Sequence, residues 1–392
     1  VAEDLTVPGP DELGAEARLL LALAQPDPAL VEAELLRAYL VASGRELDWG
    51  WFLDQAARQG VLPLVARNVV QLRIGHSASL RGAVPYEWLY QYAYSGNRAR
   101  NDAMAAEQER IFQALTERGV GFAVRKGAVL LREIYADDYG ARRVGDLDVL
   151  VRPGDLAAFA EVLRGLGYDQ GQPDVAGESI DKFDRVTQIF WRSRLTHVTL
   201  PFMRISSAPE IEAFIVDPCL SIFPPGYLAG IEETQQVLDR RVATQVWSTA
   251  AWSMDPADVL LDLCVQFHAE ATTLHYISIG KDLTVAKLLE LAVLCRRATE
   301  STSSGLISRS GQYQCLDSVH YALHFAHALY PDAIADSLLA ASRPRSLDYL
   351  EEFGGFDGKP ARWQRSFYQR LFDPRWRAGN ATSRIPGPRA RI

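Results

Sequence analysis

The chain has 392 residues, of which 48% are hydrophobic and 23% charged, a length that exceeds one ordinary core and predicts two or three packed units. No run of about 18 uncharged apolar residues offers a membrane span. The net charge of −8 is uneven: from Arg343 onward 11 Lys+Arg face 5 Asp+Glu, which leaves −14 on the body and disfavours a long nucleic-acid footprint. The start (Val1, Ala2, Glu3, Asp4) lacks the basic region of a secretory signal. Cys219, Cys264, Cys295 and Cys315 form no C-x-x-C pair and lie in or beside apolar runs. Buried, reduced thiols in a cytoplasmic protein are therefore expected.

Residues 11–110 read as helices, with Ala17, Leu19, Leu20, Leu21 and Leu23 on one apolar face and a break at Gly60 and Pro63. A long helix is expected from Tyr86 to Arg118, closed by Gly119. Its aromatic stripe (Trp88, Tyr90, Tyr92, Tyr94) reads as core packing. Residues 121–125 are short, apolar and strand-like, Lys126-Gly127 punctuates them, and 128–135 reads as a helix. After a polar loop (136–145), residues 146–152 form a second strand, and Pro153 opens a helix that closes at Gly167. Residues 195–203 and 210–216 are further strand candidates. From Pro225 helical periodicity returns, with Val259, Leu260, Leu263, Cys264 and Phe267, then Leu288, Leu289, Leu291, Ala292 and Leu294. The expected fold is α+β: a mixed sheet with packed helices, flanked by helical N- and C-terminal regions. The expected boundaries are 1–102, 103–224, 225–345 and a basic, partly irregular tail at 346–392, rich in Arg375, Arg377, Arg384, Arg389 and Arg391.

The sharpest local feature is Asp146-Leu147-Asp148. Strand residues at i and i+2 share a face, so the two carboxylates stand side by side. Leu147, Val149, Leu150 and Val151 make that strand a buried one. Adjacent buried carboxylates repel and are costly to desolvate; a divalent cation relieves both costs. Magnesium, with manganese as its substitute, suits a carboxylate pair completed by substrate phosphates. The motif alone is short, and most D-x-D strands are solvated faces. Its upstream context sharpens it. Lys126 and Gly127 stand where a strand turns into a helix, so backbone and helix N-terminus can approach a phosphate. Arg142 and Arg143 can pair with phosphate oxygens.

These residues carry a family resemblance. GFAVRKGAVLL (121–131) and RRVGDLDVLV (142–151) resemble the bacterial nucleotidyltransferase family of the DNA polymerase beta-like superfamily, which shows a K-G turn, an arginine ahead of D-x-D, and a helix ending in G-Y. Residues 48–68, 260–269 and 282–294 resemble its helical flanks. The resemblance implies that Asp146 and Asp148 hold the metal, that Lys126 and Gly127 bind the triphosphate of an NTP, and that Arg142 fills the family's arginine position. It implies a third carboxylate on a later, neighbouring strand. Glu212, in Ile211-Glu212-Ala213, fits that pattern, with Glu210 as rival; Phe214 departs from the histidine that often follows this acid.

Lys281, ahead of a helix, is a further phosphate candidate, with a surface ion pair as the plain alternative. His320, His324 and His327 share a helix face, and His268 and His275 lie in apolar settings; all five read as structural. The expected reaction is transfer of an NMP from an NTP to a hydroxyl or amine, releasing pyrophosphate. A small molecule or peptide is favoured as acceptor over tRNA. A toxin-like tRNA-modifying enzyme and an inactive nucleotide-binding scaffold of the same fold remain the alternatives.

Overall fold

The computed structural model describes residues 13–71, 83–354 and 360–372. The arginines of the basic tail, from Arg375 on, lie outside the described residues.

The N-terminal helices are α1 (Ala15–Leu23), α2 (Ala33–Ser43), α3 (Trp49–Arg58), α4 (Leu62–Gln71) and the 31-residue α5 (Glu87–Glu117). The α5 helix ends as expected, with Gly119 at φ 74° just beyond it. Tyr90 is buried, while Trp88 is 59% and Tyr92 69% exposed. The aromatic stripe is therefore not one core face, because helix positions two apart point to nearly opposite sides.

Next come β1 (Phe122–Val124), α6 (Gly127–Tyr135), β2 (Leu147–Val151), α7 (Leu156–Gly165), β3 (Asp169–Pro173), β4 (Ile180–Lys182), α8 (Arg185–Arg194), β5 (Phe202–Ile205) and β6 (Ala213–Cys219). A helix α9 (Ile231–Asp239) leads to a hairpin of β7 (Val242–Val246) and β8 (Thr249–Ser253). Among the described residues the helices α10 (Pro256–Thr272), α11 (Leu274–Ser278), α12 (Val285–Arg297), α13 (Glu300–Gln312), α14 (Leu316–Leu329), α15 (Asp336–Ala341) and α16 (Phe367–Phe372) follow. Between α15 and α16 lies a small ribbon of β9 (Glu352–Phe353) and β10 (Ala361–Arg362). Among the described residues no helix is long and apolar enough to cross a membrane. The four cysteines are buried and free.

The main sheet has the order β4-β3-β5-β6-β2-β1-β8-β7 and is mixed: β2 runs parallel to β6 and antiparallel to β1. Side chains alternate between its faces. Phe122, Val124, Leu147, Val149, Val151, Phe202 and Val216 pack with Ile111, Phe112 and Leu115 of α5 and Phe159 and Leu163 of α7. Ala123, Leu150 and Cys219 point the other way, into a larger core shared with the N-terminal helices and with α10, α12 and α14.

The α+β class stands as expected; three local expectations do not. The sheet does not stop at residue 224, because the β7–β8 hairpin joins it beside β1 through a Val124–Ser253 pairing. As the edge strand, β7 is mostly exposed and carries no apolar run to mark it. Residues 195–201 are not a regular strand: α8 ends at Arg194, and only Val198 bridges to Cys219. The last core strand covers Ala213–Cys219, three residues later than expected. That shift decides the identity of an acid in the site.

Candidate active site

The turn after β1 is sharp. Lys126 has φ 43° and Gly127 φ 33°, so two successive residues leave the right-handed region as α6 begins. Only glycine adopts such a φ without strain, and Lys126 carries strain as the N-cap of α6. The turn lays Lys126 across β2, with Nζ 3.8 Å from Asp148 Oδ2. The β1–β2 ladder continues just past β1, where Arg125 N donates to Asp148 O at 3.0 Å.

Asp146 precedes β2, and Asp148 is its second residue. In the parallel β2–β6 pairing Asp148 stands directly opposite Asp217. Register partners point to one face, at a strand spacing of about 4.8 Å. The third carboxylate is thus Asp217, and the assignment to Glu212 is corrected. Glu212 is exposed just before β6, where its carbonyl accepts from Ser206 N, and it lines a groove of about 810 Å³ beside the β3–β4 hairpin and α8. It lies five positions before Asp217, roughly 16 Å along extended chain. Glu210, two residues earlier, is also exposed. That groove is not where the carboxylates meet.

The electrostatics follow from this convergence. Burial, followed by repulsion from Asp146 and Asp148, holds the Asp217 carboxyl well above the usual carboxylate range; Lys126 and Lys281 partly offset it. Asp146 is also raised, by its dense surroundings first and by Asp148 second. Solvent still reaches Asp146, so it sits in an open recess rather than in the core. Cys219, on the same face as Asp217, has its Sγ 3.9 Å from Asp148 Oδ1; burial pushes its thiol up to about 12 and keeps it protonated.

The structure brings Asp146, Asp148, Lys126 and Gly127 together, and the exposed Lys281 acts on both raised carboxylates from the loop before α12. Arg142 is different. Its Nε donates to Glu290 Oε1 at 2.6 Å, and the hydroxyl of Tyr135 donates to the same oxygen at 3.2 Å. Its guanidinium is committed to an ion pair with α12 and not offered to phosphate. Arg143 is exposed, near Arg100 of α5, which in turn feels Asp146. The loop before Asp146 is pinned from α5: Asn97 Nδ2 donates to Gly140 O at 2.9 Å, Asn101 Nδ2 to Tyr139 O at 2.6 Å, and Val144 N to Asn101 Oδ1 at 3.2 Å.

Other contributors left little sequence signal. Arg125 and Asp262, 137 positions apart, form a buried two-point ion pair (Nε–Oδ2 3.1 Å, Nη2–Oδ1 2.5 Å) that ties the turn to α10. His197 borders Arg125 and Lys126; burial and then these cations lower it to about 4. Two further histidines are held by serine hydroxyls: His268 Nδ1 meets Ser318 Oγ at 2.8 Å, and His320 Nδ1 meets Ser342 Oγ at 3.1 Å.

Among the described residues no group of three His, Cys, Asp or Glu side chains is already drawn in to metal-binding distance. Asp148 is instead engaged by Lys126 and Cys219. The donor set nevertheless fits a hard divalent cation. Three carboxylates converge from β6, β2 and the residue before β2, two of them with proton affinities raised by burial first and by the neighbouring acids second. A sheet face with three acids, flanked by two lysines and a strand-to-helix turn, can hold a polyphosphate through cations and carry out chemistry at a phosphorus between them.

Residues 45–331, more than two thirds of the chain, match the profile of a family described as uncharacterised nucleotidyltransferase. No match is found among curated proteins.

Proposed function

Because the chain belongs to the uncharacterised nucleotidyltransferase family, we propose that it is a metal-dependent enzyme of the DNA polymerase beta-like superfamily that moves an NMP from an NTP to a small-molecule or peptide acceptor. The observation that carries this reading is the Asp148–Asp217 register with Asp146 on the same face. Asp146, Asp148 and Asp217 would hold magnesium or manganese, which supplies charge neutralisation at the triphosphate and lowers the acceptor's pKa. Lys126 exchanges Asp148 for the β- or γ-phosphate, and the N-terminus of α6 at Gly127 faces the same oxygens. Lys281 adds positive charge at the open rim.

The acceptor oxygen or nitrogen forms a bond to the α-phosphorus. The bond from that phosphorus to the oxygen bridging toward the β-phosphate breaks, and pyrophosphate leaves with the electron pair. Asp217, which stands opposite Asp148 and whose proton affinity is raised by burial and then by Asp146 and Asp148, takes the acceptor's proton. The Arg142–Glu290 and Arg125–Asp262 pairs keep the loop and turn registered against the C-terminal helices while this happens.

The charge of −14 on the body outside the last fifty residues supports a small acceptor over tRNA, whose binding needs several phosphate contacts. The test is calorimetry of magnesium and NTP with the wild type and Asp148→Ala, followed by labelled NTPs offered with total tRNA and with a panel of hydroxylated metabolites. Binding and transfer that depend on Asp148 support the enzyme. Wild-type binding in Asp148→Ala counts against the metal site, and efficient, salt-sensitive labelling of tRNA counts against the small acceptor.

A further inference from the structure

A second space opens behind Lys126. It is a cavity of about 140 Å³ between α6, α10 and α12, room for about five waters by volume. Its walls include Leu130, Leu263, Phe267 and Leu291. Its polar rim includes Gln266, Glu270 and Glu290. Glu290 is bound by Arg142 and Tyr135, and Glu270 by Lys287. Gln266 is only half satisfied. Its Nε2 donates to Glu270 Oε1 at 2.7 Å, which fixes the amide's orientation because a carboxylate can only accept. Its Oε1 is buried and has no hydrogen-bond partner. Gln266 lines the cavity, and a buried acceptor left unpaired costs free energy that a donor would recover.

We propose that this cavity receives the nucleobase of the NTP and that Gln266 Oε1 accepts from the 6-amino group of adenine or the 4-amino group of cytosine, so that these bases are preferred to guanine and uracil, which carry an oxygen at that position. The inference rests on the nucleotidyltransferase reading above and adds base selection to it. The chemistry of the walls decides among ligands. A phosphate group is disfavoured by Glu270 and Glu290, both buried and already paired. A sugar presents polar groups on both faces, which Leu130, Phe267 and Leu291 cannot satisfy. A base has apolar faces and polar edges, as the cavity requires. Adenine carries N6–H₂ and cytosine N4–H₂ where guanine and uracil carry a carbonyl oxygen; that oxygen would meet Gln266 Oε1 as acceptor against acceptor. Lys126 lines the cavity and also reaches Asp148, so a base held here lies beside the phosphate-binding turn.

The test is calorimetric binding of the four α,β-methylene nucleoside triphosphates and of pyrophosphate, each with magnesium, to the wild type and to Gln266→Met. The variant keeps the side-chain length and removes the acceptor. The expected result is binding of the adenosine and cytidine analogues about tenfold or more tighter than the other two in the wild type, a preference that shrinks to within about twofold in Gln266→Met while pyrophosphate binding is unchanged. Equal wild-type affinities, or a preference that survives Gln266→Met, overturn the base assignment and leave the transferase reading intact. Failure of all four analogues and of pyrophosphate to bind overturns both.

Discussion

Replacing Asp217 by asparagine should abolish NTP turnover and, in chelator, make the protein more heat-stable. The carboxylates of Asp148 and Asp217 sit on adjacent parallel strands in direct register. At about 4.8 Å and an effective dielectric near 20, two unit charges repel by about 3 kcal/mol. Lys126 and Lys281 cancel part of this, so a net gain of about 1–2 kcal/mol is expected from neutralising one partner. In a chain of this size that is a rise in Tm of about 1–3 °C. The sign follows from linkage. The folded-state affinity of Asp217 for a proton is raised, so the folded chain binds more protons than the unfolded one above the ordinary carboxylate pKa. Stability is therefore lost as pH rises through that window, and asparagine removes the loss. The assay is thermal unfolding at neutral pH in chelator and in magnesium, with NTP turnover alongside. Magnesium should raise the Tm of the wild type and not that of Asp217→Asn. A lower Tm in chelator, or near wild-type turnover, would refute the convergence of the three acids.

Glu212→Gln should keep wild-type turnover within about twofold, since its carboxylate lies roughly 16 Å along the strand from Asp217; loss of activity would return it to the site. Lys126→Ala should raise the apparent KM for NTP by an amount equivalent to about 1.5–3 kcal/mol of lost charged hydrogen bonding, and an effect confined to the acceptor's KM would contradict its phosphate role. Asp262→Asn should cost about 3–5 kcal/mol in denaturant unfolding because it strands the buried Arg125 guanidinium. His268, lowered to about 4 by burial, is neutral in the fold. Stability should fall as pH drops from about 6.5 toward 4, where the unfolded chain binds the extra proton, and His268→Gln should lessen that slope, which His197 and His320 share.

The readable part of this protein was local. The strand alternation that puts Asp146 and Asp148 on one face, and the Lys126-Gly127 break between strand and helix, are set by neighbours within a few residues, and both stand in the structure. So does α5, whose 31 residues and closing glycine need no distant partner. What the tertiary structure decided was pairing. Ile211-Glu212-Ala213 and Val216-Asp217-Pro218 each set an acid between apolar neighbours; only the register of β6 against β2 places Asp217, and not Glu212, opposite Asp148. Arg142 looked like a phosphate ligand because its partner Glu290 lies 148 positions away, and Arg125 showed no role until Asp262 arrived from α10. The β7–β8 hairpin was invisible for the converse reason: an edge strand exposed to water carries no apolar period. Side-chain periodicity records which face is buried, whereas strand register and ion pairing depend on segments that meet only when the chain has folded.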